Sequence, residues 1–98
     1  MSDDFFAPPT FKADEALVRL KKDLRDLGLA ERAGIFERRG SAIARVALDG
    51  ATLKAAVVKR PSRSSPEWQP KVIKSSADAR DFATDIKRRL AAWGDSDD

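Results

Sequence analysis

Around Asp49-Gly50 the chain alternates apolar and polar residues on both sides, over Ile43 to Leu48 and Ala51 to Lys59. Period-two alternation marks a strand with one face buried. Asp-Gly favours a two-residue hairpin loop in which both residues take positive φ. Together the two signals leave few options. A loop at Asp49-Gly50 pairs Val46 with Leu53, Ala44 with Ala55 and Leu48 with Ala51. All six are apolar and share one sheet face. The opposite face then sets Arg45 directly across from Lys54, with Ile43, Ala47, Ala56 and Val58 as its apolar residues.

The flanks keep a different period. Ala13, Leu17, Leu20, Leu24 and Leu27 recur every three or four residues, one stripe of a helix from about Thr10 to Leu27. Thr10 is the expected N-cap and Gly28 the expected stop. Glu15 with Arg19 and Lys22 with Asp26 are i, i+4 charge pairs on its outer side. A second stripe of Ala79, Phe82, Ala83, Ile86, Leu90 and Trp93 follows Ser75 or Ser76, where Ser75 and Asp78 resemble a capping box. Gly94 is the expected end of that helix.

Between these elements Ala33 to Arg38 reads as a first strand turned by Gly40 and Ser41, residues 61 to 70 as a loop, and Lys71 to Lys74 as a short edge strand. Two single-striped helices need a sheet to cover. The expected fold is therefore α+β: a two-layer α-β-β-β-(β)-α arrangement, with an antiparallel three- or four-stranded sheet and both helices on one face. Residues 1–9 read as a flexible tail, 10–94 as one domain and 95–98 as an acidic tail. Phe5, Phe6 and Phe11 are unusual for a tail. They fit closure over the core edge or a short partner-binding motif.

The charge is unevenly spread. Residues 37–74 hold nine lysines and arginines against three acids, a local net of +6, while the segments before and after stand at −1 and −2. A basic β-surface between acidic helices suggests an anionic partner. The chain has no cysteine and no histidine. Thiolate chemistry is thereby excluded, and the usual base near neutral pH is missing. No phosphate loop, nucleophile elbow or carboxylate-rich cation loop is present either. The expectation is a protein that is not an enzyme, with no cofactor and no metal. The acidic N-terminus does not read as a signal peptide and no apolar run reaches membrane-spanning length, so a cytoplasmic location is expected.

The candidate binding residues are Arg45 and Lys54 on the open face, and Lys59, Arg60, Arg63, Trp68, Lys71 and Lys74 along the following stretch. Like charges facing each other on a sheet repel, unless a carboxylate such as Glu37 or a bound phosphate intervenes. Cations interleaved with an aromatic are what a single-stranded nucleic-acid groove uses, the ring stacking on a base. Trp68 equally suits a plug for one end of a thin core. Lys87-Arg88-Arg89 reads as a solvated helix end, with Asp85 in reach of Arg88 or Arg89.

The order helix, three strands, helix is similar to that of double-stranded RNA-binding domains. Those domains meet phosphates with lysines at the start of the second helix, where this chain reads Ser75-Ser76-Ala77-Asp78-Ala79-Arg80-Asp81. The likeness is one of topology and carries no function. Two functions fit: a non-catalytic module binding nucleic acid through the basic face and the Trp68 loop, or a protein-interaction or homodimer domain using Ile43, Ala47, Ala56 and Val58.

Overall fold

The computed structural model of the chain describes residues 11–62 and 64–96. Helix α1 (Ala13–Asp26) is followed by strands β1 (Ala30–Arg32), β2 (Ile35–Arg38), β3 (Ser41–Asp49), β4 (Thr52–Val58) and β5 (Trp68–Ile73), and by helix α2 (Ser76–Ser96). The strands form one antiparallel meander in chain order. The fold is α+β as expected, with five strands in place of three or four.

The extra strand is β1, three exposed residues with no apolar alternation to announce it. It exists because Ala33 and Gly34 both take positive φ, as do Arg39 and Gly40. Each pair makes the two-residue loop whose twist suits a hairpin. The second strand difference is β5, which begins at Trp68, so Trp68, Gln69 and Pro70 belong to the sheet and not to the loop.

The central hairpin differs in register. Val46 pairs with Ala55, Leu48 with Leu53 and Asp49 with Thr52. The loop is therefore Gly50-Ala51: Gly50 takes φ 63 and Ala51 does not take positive φ. Glycine at the first central position is the mark of a II′ turn. The Thr52 hydroxyl donates to the Asp49 carbonyl at 3.1 Å, closing it. Moving the loop by one residue changes each partner by two, so face parity survives. Ala44, Val46, Leu53 and Ala55 are buried under the helices as expected, while Leu48 and Ala51 are exposed. Arg45 faces Ala56 and Lys54 faces Ala47; the two cations are not opposed.

Ile43, Ala56 and Val58, expected on an open apolar face, are 1%, 2% and 0% exposed. For Ile43 the cause is a bulge: Phe36 pairs with Ala44 and Glu37 with Ala42, leaving Ile43 as the extra residue. A bulge re-aims a side chain, and Ile43 joins the core cluster. Val58, directly across from Trp68, joins it too. Of the four, only Ala47 is exposed.

Leu20 and Leu24 of α1 and Phe82, Ile86 and Leu90 of α2 close the core over Phe36, Leu53, Val57 and Ile73. Phe11 packs at its margin, whereas Phe5 and Phe6 lie outside the described residues. Lys12 takes the N-cap position of α1; the candidate cap Thr10 also lies outside the described residues. At the other end Gly28, at φ 92, stops the helix. Its N–H donates to Arg25 O at 2.9 Å and that of Leu29 to Leu24 O at 3.3 Å, a Schellman pair with Leu24 and Leu29 buried together. Lys22 meets Asp26 at 3.1 Å, while Glu15 reaches back to Lys12 at 3.8 Å and not to Arg19.

Ser75 caps α2: its Oγ accepts from Asp78 N–H at 3.1 Å, and the Asp78 carboxylate accepts from Lys74 N–H at 3.1 Å. The helix runs past Gly94 to Ser96. Two arginines tie it to the sheet. Arg38 donates to Leu90 O at 3.2 Å, and Arg89 to Val58 O at 3.3 Å.

Gly50→Ala forces a Cβ into the left-handed region with no neighbour to clash against. It should cost about 1 kcal/mol of stability in urea unfolding. Asp49→Ala, at a residue already in the strand, should stay within about 0.5 kcal/mol of wild type. Equal losses at both positions would return the loop to Asp49-Gly50.

Candidate nucleic-acid interface

Cross-strand pairing aligns one residue from every strand in a row. Arg32 pairs with Ile35, Ile35 with Arg45, Arg45 with Ala56 and Ala56 with Pro70. At about 4.8 Å per strand the row spans roughly 19 Å. It lies on the face without helices, since its neighbours Phe36, Val46 and Ala55 point into the core. The next row is Ala47, Lys54 and Val72. Trp68 stands two residues before Pro70 and shares the face. A groove of about 690 Å³ follows these rows, lined by Ile35, Arg45, Ala47, Lys54, Ala56, Trp68 and Pro70 and closed at one side by the Ala33-Gly34 turn.

The Arg45 guanidinium carbon sits 4.8 Å from the centre of the Trp68 ring. Arg45 reaches it diagonally across β4, over Ala56, whose small side chain leaves the space and ends up almost wholly covered. Such cation–π contacts contribute about 0.5–1 kcal/mol at exposed sites. Trp68 is half-buried and packs against the core cluster. It is thus both an edge to the core and part of the open face.

The backbone parity of β4 and β5 explains how close these groups come. Lys59 N–H donates to Glu67 O at 3.0 Å. The alternation of an antiparallel ladder then makes Val58–Trp68, Ala56–Pro70 and Lys54–Val72 the non-hydrogen-bonded pairs, in which side chains approach most closely.

Part of the positive charge is neutralised within the helix layer. On the helix side, Glu31 holds Lys21 at 3.0 Å and Arg25 at 3.3 Å. On α2, Asp85 holds Arg88 at 2.6 Å and Arg89 at 2.8 Å. That pairing accounts for Arg88 and Arg89, while Lys87 is exposed. The three lie inside the longer helix, however, and its last turn carries no basic residue. Burial tends to raise the Asp85 carboxyl, but hydrogen bonds from Arg88 and Arg89 and their charges outweigh it and hold the group below its ordinary 3.8. By contrast, Arg32, Arg45 and Lys54 make no ion pair among the described residues.

Of the candidates from sequence, the structure brings together Arg45, Lys54 and Trp68. Lys59 and Arg60 are exposed where β4 gives way to the loop, at the Trp68 end of the sheet. Lys71 pairs with Ala55, a core-face residue, and so stands on the helix side, in a recess beside Phe82 and Asp85. Lys74 follows β5 at the opposite end from Trp68. Arg63 lies outside the described residues. Arg32 is the functional candidate that sequence reasoning missed. The signal for it was Ala33-Gly34 read as a hairpin loop, which sets Arg32 across from Ile35.

Compared with protein-family models, with curated proteins and with solved structures, the chain matches none. Among the described residues no helix is long and apolar enough to cross a membrane.

Two outcomes check this charge map. A double-mutant cycle of Arg45→Ala and Trp68→Leu in the free protein should give a coupling of about 0.5–1 kcal/mol. Asp85→Asn should lower stability at neutral pH. Because the folded-state pKa is depressed, the wild-type advantage is full above the unfolded value near 4 and fades as pH falls through the lower folded value. An advantage that persisted unchanged into strong acid would contradict the clamp.

Proposed function

We propose that the open sheet face binds nucleic acid in single-stranded form, without catalysing a reaction on it. The observation that carries this reading is a groove holding Trp68, Arg45 and Lys54, with Arg32 in the row beside it, three cations without an ion pair among the described residues. Cations attract the phosphates, and a planar group beside them offers a base somewhere to stack. A paired base keeps its faces inside the helix stack, so a stacking site selects unpaired strands. Lys59 and Arg60 extend the positive charge past Trp68.

The reading in which this face docks a protein or a second copy loses much of its basis. Three of the four apolar residues it relies on are buried. Ala47 and Val72 remain exposed on this face, beside Arg45 and Lys54.

Binding of a labelled single-stranded oligonucleotide, followed by anisotropy across a salt series, tests the proposal. Contact by Arg32 and Lys54 with two phosphates gives a log–log salt slope of about −1.4, at roughly −0.7 per phosphate. Arg32→Ala or Lys54→Ala should each flatten the slope by about 0.7. Lys71→Ala, on the other side of the sheet, should leave it unchanged. A slope that responds to Lys71 and ignores Arg32 and Lys54 would move the site off this face.

A further inference from the structure

Resting on that reading, we infer that the surface on which a base stacks is the outer plane of the Arg45 guanidinium, and that Trp68 is the residue that positions it. The indole itself has little left to offer a ligand. It packs against the core cluster, and Arg45 already lies 4.8 Å above its ring. A base cannot occupy the same place without displacing Arg45.

The guanidinium has the properties the indole lacks. Arg45 is exposed and has no acid partner among the described residues. A guanidinium is planar and stacks on π systems by its faces, including nucleobases. Stacked by one face on the indole, the arrangement arginine favours on aromatic rings, it leaves the other face for a base. Holding the side chain in place beforehand removes part of the ordering cost that a free surface arginine would incur on binding. Lys54 lies one row further along β4 from Ala56, about 7 Å by strand rise. That places an ammonium beside the stacked base, where the strand's phosphate passes. The ligand class is thus one unpaired nucleobase with its adjoining phosphate.

Arginine and lysine differ here in shape, and the test uses that difference. The full-length chain carrying Trp93→Phe, so that Trp68 alone reports, is titrated with single-stranded oligothymidylate at low salt. Arg45→Lys keeps the charge and loses the plane. It should lower affinity roughly tenfold, within the range for loss of one stacked base, with the salt slope kept. Trp68→Phe should retain most of the binding, since a phenyl ring still supports the guanidinium. Lys54→Ala should flatten the slope.

Strong quenching of Trp68 emission on binding, with affinity kept or raised in Arg45→Ala, would show the base on the indole and overturn the inference. Arg45→Lys binding as tightly as wild type would do the same, reducing Arg45 to a point charge while salt-dependent binding at this face still stands. If the unsubstituted chain binds no single-stranded oligonucleotide at low salt, the proposed function itself fails, and this inference with it.

Discussion

Three two-residue turns decide what this protein can present to a partner. Ala33-Gly34, Arg39-Gly40 and Gly50-Ala51 each include a residue at positive φ, and each returns the chain beside the strand just made. A meander built this way has its strands in chain order, with no crossover to carry a helix across the other face. The two helices, one before and one after the strands, pack on the same side. Their apolar stripes are just wide enough to cover Phe36, Val46, Leu53 and Ile73. The second face is therefore left to whatever the alternate residues supply, among them Arg32, Arg45, Lys54 and Trp68, with Glu37, Asp49 and Val72.

Electrostatics then sorts the faces. The helix-side cations Lys21, Arg25, Arg88 and Arg89 sit close to Glu31 or Asp85, so their charge is spent within the fold. Among the described residues the open-face cations Arg32, Arg45 and Lys54 have no such partners, yet they cost the sheet little. Each of Arg45 and Lys54 faces an alanine, which leaves the two diagonal to each other. At about 7 Å in water their repulsion is about 0.6 kcal/mol. The contact of Arg45 with Trp68 is of the same size and opposite sign. No anion is needed to hold the free protein together, and any positive potential over the groove is available to a ligand.

The parts of the fold visible in the sequence are those governed by repeated patterns. The two helical stripes, the Gly28 stop and the Ser75 cap all depend on near neighbours in the chain. So does the division of β3 and β4 into faces, which survived an altered register because the shift in partners was even. What was not legible depends on backbone conformation at single residues. Ala33 and Arg39 take positive φ without being glycine; Gly40 still marks the second of these loops, but no apolar alternation leads into the first, so β1 with Arg32 is not legible. Asp49-Gly50 looks like the loop, but one residue of displacement puts Asp49 in the strand. The bulge at Ile43 breaks the very alternation used to assign faces. Trp68 and Pro70 have loop-like neighbours and are held in the sheet by pairing with Val58 and Ala56, contacts that lie ten or more residues away.

Pro70 also explains why the open face, and not the sheet edge, is the surface to consider. A free edge strand offers unpaired N–H and C=O groups to any extended chain. β5 is such an edge, and the Lys59–Glu67 bond fixes which of its residues point outward: Trp68, Pro70 and Val72. The middle one has no N–H to give. A chain pairing along β5 would lose the central bond of the ladder, which is why proline belongs at edges. At the other margin β1 is three residues long and ends in Arg32, too short to template a partner. With both edges poor acceptors of a strand and one face filled by helices, the groove over Ala56 is the broad surface this fold leaves open.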